Sequence, residues 1–372
     1  MTPPLNSPNP DQIEIVLFGP GYGESILAHL GNDHWIIVDS CIDYPSGYPA
    51  PINYLQSIGK NPADVVDIVI ATHWHDDHIR GIGKTLEECK KAKFCAAGAL
   101  SKEEFISVVT RHEENNTQMK VRSGVRELRK VYEILDHRGE TGSSPKKAIA
   151  DRLLHRITSS ESLLSGDCEI YSLSPSDRQI DNFYQTIGSM FPPIGMTRQS
   201  IPSPSTNDIS VVILIKIGEF AILLGSDLEE TSDPQTGWSV ILNSTERPQE
   251  KASIFKVSHH GSENGHHQGV WENMLKENPI ATLSPFRRGR TKLPQDKDIQ
   301  RIKGLTSTAF LSSKKYPPKE KKYPKAVERM MNSSARVIHS SKGEMGSIRL
   351  RNSGENRYQF WGVEFFGPAY QI

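Results

Sequence analysis

Cysteine is scarce in this chain: Cys41, Cys89, Cys95 and Cys168 are the only four among 372 residues, and none forms a C-x-x-C pair. A disulfide framework or a thiolate zinc site is therefore not expected, and a reducing cytoplasm is the expected compartment. Long apolar runs are also missing. No stretch approaches the roughly 18 uninterrupted apolar residues of a membrane span, so no membrane association is expected. Residues 1–11, starting Met1-Thr2-Pro3-Pro4, have neither a basic start nor an apolar core. They read as a short disordered arm rather than a signal peptide. Surplus charge is absent too, since Lys+Arg and Asp+Glu total 44 each. Any affinity for a polyanion must then come from local clusters.

What is present suits a folded protein: 36% apolar and 24% charged residues, with length for two average domains or one large layered α/β domain. Ile13 to Phe18 reads as a strand. Ser25 to Leu30 and Trp35 to Asp39 read as a hairpin around Gly31-Asn32-Asp33. Asp67 to Ala71 is nearly continuous apolar sequence, the mark of a strand buried on both faces. From about 85 to 165 the chain turns charged and helical in spacing, notably Leu86 to Lys91 and Val121 to Leu135, and reads as a mostly helical insertion. Strand patterns return at Cys168 to Leu173, Ser210 to Ile217, Phe220 to Leu224, Ser253 to Val257, Gly346 to Leu350 and Gln359 to Phe365. Met196 to Asn207 reads as a loop, and a basic extension begins at about 285.

The chemistry concentrates where buried strands end. Thr72-His73-Trp74-His75-Asp76-Asp77-His78 is an H-x-H-x-D-H cluster directly after an apolar strand. Imidazole nitrogens and carboxylate oxygens are the donors that suit Zn²⁺ and similar ions. Alternate residues of an extended segment face one way, so His73 and His75 are placed to hold one ion. Asp77 and His78, a turn later, reach a second. Asp227 follows Leu223-Leu224-Gly225-Ser226, and His259-His260 follow Ile254 to Ser258, again past apolar strands. Taken singly, each has a plain alternative as a turn or surface residue. Three strand ends that all carry ligand chemistry favour a shared site.

These motifs resemble the metallo-β-lactamase superfamily. Asp67 with Thr72-His73-x-His75-x-Asp77-His78 and Gly81 looks like its main metal motif, and Asp39 like its early supporting Asp. Asp227 is similar to its metal-bridging carboxylate, and the His259-His260 pair to its late histidine ligand. Within the superfamily the chain resembles the soluble hydrolase domain of ComEC competence proteins. The likeness lies in Gly21-Tyr22-Gly23-Glu24-Ser25 (Glu where that group has Asp), Asn207-Asp208-Ile209-Ser210 and His259-His260-Gly261-Ser262. The resemblance implies a four-layer αββα sandwich over 12–372, with the helical insertion, and two divalent ions, Zn²⁺ or Mn²⁺. It also puts Asn207 or Ser210 beside the first ion, where many members have a third histidine, because His112, His137 and His155 lack a matching context. Ser262 and Asp39 are expected behind the ligands. The Gly-His-Pro element of the related domains is replaced here by Lys292-Leu293-Pro294.

Two such ions, about 3.5–4 Å apart, would carry a hydroxide between them as nucleophile, with Asp77 and Asp227 orienting it. His260 is taken as the ligand and His259 as the group that binds substrate or protonates the leaving group, although the residue types alone allow the reverse. Arg287, Arg288, Arg290 and Lys292 form a basic cluster after the strand that follows the late histidines. Lys314 to Lys325 interleaves cations with tyrosines. Both favour a nucleic acid or another phosphate-bearing substrate, and the insertion offers a surface for a protein partner. The expected function is a metal-dependent phosphodiesterase or nuclease. A hydrolase of small esters, lactones or phosphoesters is the alternative, and a non-enzymatic module with a structural metal is a third reading.

Overall fold

Side-chain alternation along apolar strands builds the layers. In β11 (Ile213–Ile217) and β12 (Phe220–Leu224), Ile213, Ile215, Ile217, Phe220, Ile222 and Leu224 enter one core, whereas Leu214, Ala221 and Leu223 enter another. The first core lies between two sheets. The second lies under the helices Gly237–Asn243, Gln268–Asn273 and Asp296–Leu305, which supply Trp238, Ile241, Val270 and Ile302. The computed structural model describes residues 5–100, 123–139, 145–189, 207–288, 292–314, 345–352 and 361–372, with Val327 and Met330.

The first sheet uses β1 (Ile13–Phe18), β2 (Ser25–Leu30), β3 (Trp35–Val38), β6 (Val66–Ala71), β7 (Lys93–Ala97), β8 (Lys146–Ala148), β16 (Ser347–Asn352) and β17 (Trp361–Phe366). Their order is β17-β16-β1-β2-β3-β6-β7-β8. A small ribbon, β4 (Ile42–Asp43) with β5 (Tyr48–Pro49), lies apart. The second sheet adds β9 (Arg152–Ile157), β10 (Cys168–Ser172), β13 (Ala252–Lys256), β14 (Leu275–Leu283), β15 (Ala309–Leu311) and β18 (Tyr370–Gln371) to β11 and β12. Its order is β18-β15-β14-β13-β12-β11-β10-β9. Ring contacts close the sandwich: Phe220 stacks on Trp361 at 5.3 Å, and Phe310 meets Phe365 at 5.4 Å. Burying each such side chain contributes about 1.5–3 kcal/mol. On the outer face of the first sheet, Leu128, Val131 and Leu135 of the helix Ser123–His137 join Ile82 and Leu86 of the helix Ile82–Glu88. The result is the four-layer αββα sandwich expected from the sequence.

Each sheet has a parallel half, and this positions the site. β3, β6, β7 and β8 run parallel in one sheet, and β12, β13, β14 and β15 in the other. Parallel strands deliver their carboxyl ends to one edge, which is where ligands gather in open α/β sheets.

One sequence reading needs correction. The 85–165 stretch contributes β7, β8 and β9 to the sheets besides its helix. β7 escapes notice because Lys93-Phe94-Cys95-Ala96-Ala97 carries only one large strand-forming side chain, and β9 because only Leu154 and Ile157 of its residues are buried. Its expected helix at Val121 to Leu135 is found at Ser123–His137, and the one at Leu86 to Lys91 ends at Glu88. Of residues 1–11, residues 5–11 are described, and Asn6 meets a distant partner. Arg351 donates to the Asn6 carbonyl at 2.8 Å and to its Oδ1 at 3.1 Å. The Met196 to Asn207 loop lies, except for Asn207, outside the described residues, as does most of Lys314 to Lys325.

Candidate metal centre

Asp39 leaves β3 in the left-handed region (φ 61°) and is buried. Its Oδ1 accepts the Thr72 N–H at 2.8 Å, and its Oδ2 accepts the Thr72 hydroxyl at 2.8 Å and His78 Nδ1 at 2.7 Å. With its proton given to Asp39, the Thr72 hydroxyl is left to accept from His73 Nδ1, 3.0 Å away. One carboxylate thus sets the tautomers of two histidines and leaves the Nε2 of each for a ligand, a recurring second-layer device at metal sites. The four-residue turn Asp76–Ile79, with His75 before its first residue, then presents Asp77 and His78.

The other sheet closes on this group. Gly225 lets the end of β12 press on the end of β13, because a Cβ there would sit 2.1 Å from Ser258 Oγ. Asp227 follows, and its Oδ1 lies 3.2 Å from His78 Nε2. His260 Nε2 is 3.2 Å from Asp77 Oδ2 and 3.4 Å from Asp227 Oδ2, while its Nδ1 faces the Ser284 carbonyl at 3.1 Å. Two donor groups result, Glu24/His78/Asp227/His260 and His73/His75/Asp227, each with ligand atoms within 4.8 Å of one another. Asp227 belongs to both.

The donor chemistry fits divalent ions. The buried His73 Nε2 has no hydrogen-bond partner, and His78 Nε2 and Asp227 Oδ1 face each other at 3.2 Å without forming a well-aligned hydrogen bond, an arrangement that costs free energy unless something else satisfies these atoms. Burial holds His73 and His75 below the usual imidazole range, in the neutral form that binds a metal. Burial opposes charge on His78 and His260, but the facing carboxylates, Asp227 foremost, outweigh it. His78 is pushed well up and His260 to about 10. Burial likewise opposes ionisation of Asp77 and Asp227, and the imidazoles opposite keep both below the usual carboxylate range.

The structure separates the late histidines. His260 points into the centre. His259 stands outside it, with Nδ1 2.9 Å from Asn264 Oδ1 and 3.2 Å from Glu229 Oε1, and Nε2 3.4 Å from Asn207 Nδ2. Asn207 Nδ2 donates to Glu229 Oε1 at 2.6 Å, and the buried Asn207 Oδ1 and Ser210 Oγ lack partners. The Val211 N–H donates to the Thr72 carbonyl at 3.2 Å, which holds the 207–211 segment against the H-x-H strand end. Ser262 contributes backbone, its N–H donating to the His259 carbonyl at 2.9 Å. Asp67 lies at the far end of β6, where His34 meets it at 2.6 Å and His155 at 4.0 Å. His137 ends its helix, and His112 lies outside the described residues.

The basic cluster divides. Arg287 spends its guanidinium on the Pro20 carbonyl, the Lys314 carbonyl at 2.9 Å and Ser313 Oγ at 3.2 Å. Gly21 (φ 99°) makes the room, since a Cβ there would overlap that guanidinium. Arg288 is exposed at the rim. It lies over the Tyr22 ring at 4.8 Å, donates to its hydroxyl and reaches Asp76 Oδ2 at 3.4 Å. Burial, with Asp77 and Asp76 nearby, pushes the Tyr22 phenol up to about 12. Lys292 is exposed, and Arg290 lies outside the described residues. Sequence reasoning missed Tyr22, Ser284 and Lys256 and did not count Glu24 among the candidates. Only Lys256 left a plain signal: a lysine inside the apolar strand Ala252–Lys256, where lysines are almost never buried without a partner.

Residues 18–143, which include the whole H-x-H-x-D-H cluster, match the metallo-beta-lactamase superfamily, whose sandwich the fold displays. No curated protein matches the chain. Solved structures that resemble it include the metallo-beta-lactamase fold protein YhfI from Bacillus subtilis. That likeness has 14% identity and a TM-score of 0.38, over 81% of this chain and 95% of that one. A second is MEM-A1, a subclass B3 metallo-beta-lactamase from a soil metagenome library (11%, TM-score 0.33, 73% and 90%). A third is an archaeal metallo-beta-lactamase superfamily protein from Sulfolobus tokodaii (13%, TM-score 0.27, 66% and 80%).

Proposed function

We propose that the chain is a metal-dependent hydrolase that cleaves phosphodiester bonds of nucleic acid. The observation that carries the hydrolase reading is the convergence of two donor groups on Asp227, with buried Nε2 and Oδ1 atoms left unpartnered. His73, His75 and Asp227 would hold one ion, with Ser210 or Asn207 beside it. Asp77, His78, Asp227 and His260 would hold the second. Bound ions supply acidified water and neutralise charge developing on a phosphoryl or carbonyl oxygen. Asp77 and Asp227 orient the attacking water. His259, held at Nδ1 by Glu229 and Asn264, handles the leaving-group proton at Nε2.

Arg288 at the rim and the ComEC-like elements at Gly21 to Ser25, Asn207 to Ser210 and His259 to Ser262 support the nucleic-acid assignment. Arg287 favours the second reading, a hydrolase of small esters, lactones or phosphoesters, because its internal bonds remove one cation from the phosphate side. The deciding experiment is hydrolysis of single- and double-stranded DNA and RNA with added Mn²⁺ or Zn²⁺. EDTA and a His75→Ala/Asp77→Ala variant serve as controls. Cleavage lost in both controls is the expected result. Two bound ions without cleavage of any nucleic acid sink the nuclease reading and direct assays to small esters and phosphoesters.

A further inference from the structure

Lys256 is the last residue of β13 and is buried. Burying an ammonium is costly, and the site offsets the cost with named partners. Its Nζ forms an ion pair with Glu24 Oε1, donates to the Ser226 carbonyl at 3.1 Å and stands 3.9 Å from Asp227 Oδ1. Glu24 belongs to the other sheet's approach to β2, and its N–H donates to the Asp77 carbonyl at 2.8 Å. Its Oε2 accepts the Ser284 hydroxyl. Its carboxylate also lies 3.7 Å from His78 Nδ1 and 3.6 Å from His260 Nδ1. Those two nitrogens face away from Asp227 and already have closer partners in Asp39 and the Ser284 carbonyl.

Glu24 is therefore close enough to count among the donors of the second group, yet both of its oxygens are engaged elsewhere. From this geometry we infer that Lys256 is a positioning residue: it keeps Glu24 out of the second ion's shell, so that Asp77, His78, Asp227 and His260 leave a position open to substrate. An open position is what distinguishes a reactive metal site from a closed structural one. Without Lys256, Glu24 would lose its ion-pair partner and keep only the Ser284 hydroxyl and two imidazole nitrogens 3.6 and 3.7 Å away, which leaves this buried carboxylate under-compensated and free to turn toward a cation bound beside Asp227.

This inference rests on the metal-dependent reading above. Its test is Co²⁺ binding, followed by d–d absorption and stoichiometry, in the wild type, Glu24→Gln, Lys256→Met and the double variant. Glu24→Gln is expected to keep two ions and the wild-type spectrum. Lys256→Met is expected to bind the second ion more tightly through the added carboxylate, by about 10–100-fold, the opposite sign of the loss that usually follows removal of an outer-layer partner, with absorption shifted toward higher coordination. In the double variant the wild-type spectrum returns. A space-filling role for Lys256 would leave the single and double variants alike. Loss of an ion in Glu24→Gln overturns the inference, as does a wild-type spectrum and affinity in Lys256→Met. If Lys256→Met does not fold, the Glu24→Gln arm still decides whether Glu24 is a ligand. Should the wild type bind no Co²⁺, the functional reading falls with it; two ions in the wild type and unresponsive variants sink this inference alone.

Discussion

At the flank where β1 meets β16, Glu14 is buried and accepts from Tyr54 OH at 2.8 Å and Arg351 Nε at 2.7 Å. Arg349, also buried, donates to Glu364 at 2.6 Å and to Tyr54 OH at 3.2 Å. At the carboxyl edge of the parallel strands, Asp39, Asp77 and Asp227 are buried with His73, His78 and His260. Both regions bury charge under one sandwich. On the flank, the donors and acceptors answer one another, and the network is closed. At the edge, the Asp39 relay is equally closed, but it holds histidines whose Nε2 atoms end opposite unpartnered carboxylate oxygen. Buried charge alone therefore does not mark a functional site; an ordered outer layer around a converging set of metal-ligand donors does.

Asp227→Ala should break this comparison most severely, because that carboxylate belongs to both donor groups. Elemental analysis should show the loss of both ions. Hydrolysis should fall by about 10³-fold or more, at least the upper value for removing one stabilising donor. Retention of both ions would mean that Asp227 does not join the two groups.

The closed part of the fold should answer to pH instead. Burial holds His29, next to the flank, down at about 4, and its neutral ring receives the Asp33 N–H at 3.2 Å. A folded pKa below the unfolded value of about 6.5 means stability that is present above pH 6.5 and lost as pH falls toward 4. The loss should approach about 3 kcal/mol in urea unfolding of the EDTA-treated protein, and His29→Gln should flatten that window. An unchanged window in the variant would assign the acid loss to other groups. Glu14→Gln tests the same flank at neutral pH. It should cost about 1–3 kcal/mol through unmatched partners while metal content and hydrolysis stay at wild-type values. Loss of metal in that variant would erase the distinction between the regions.

The contrast also explains what could be read in the sequence. His73, His75, Asp77 and His78 are legible because four donors fall within six positions after an apolar strand. Asp227 and the late histidines are legible as strand ends. The choice between His259 and His260 is not, because it depends on two successive left-handed residues (φ 44° and 53°) that turn one ring inward and the other out. The layers were legible wherever apolar residues alternate or run unbroken, as in Phe220 to Leu224. β9 was not, since Arg152–Ile157 is a partly exposed strand whose pairing with β10 carries the information. Charge counts located a basic cluster but not the division of labour inside it, because only the fold shows that Arg287 meets backbone carbonyls.

That division supplies the smallest predicted effect. Arg288 is exposed, and its link to Asp76 is a surface ion pair worth about 0–1 kcal/mol. Arg288→Ala should leave unfolding free energy within about 0.5 kcal/mol of wild type. If Arg288 contacts a phosphate, the variant should bind an oligonucleotide more weakly across sequences, and the slope of log affinity against log salt should fall by about 1. Arg287→Ala should do the reverse. It should lose stability by about 1–3 kcal/mol, because the carbonyls of Pro20 and Lys314 lose their donor, and leave the slope unchanged where the protein still folds. Equal slopes for wild type and Arg288→Ala would remove Arg288 from substrate contact, and with it the described cation that most favours a polyanionic substrate over a small ester.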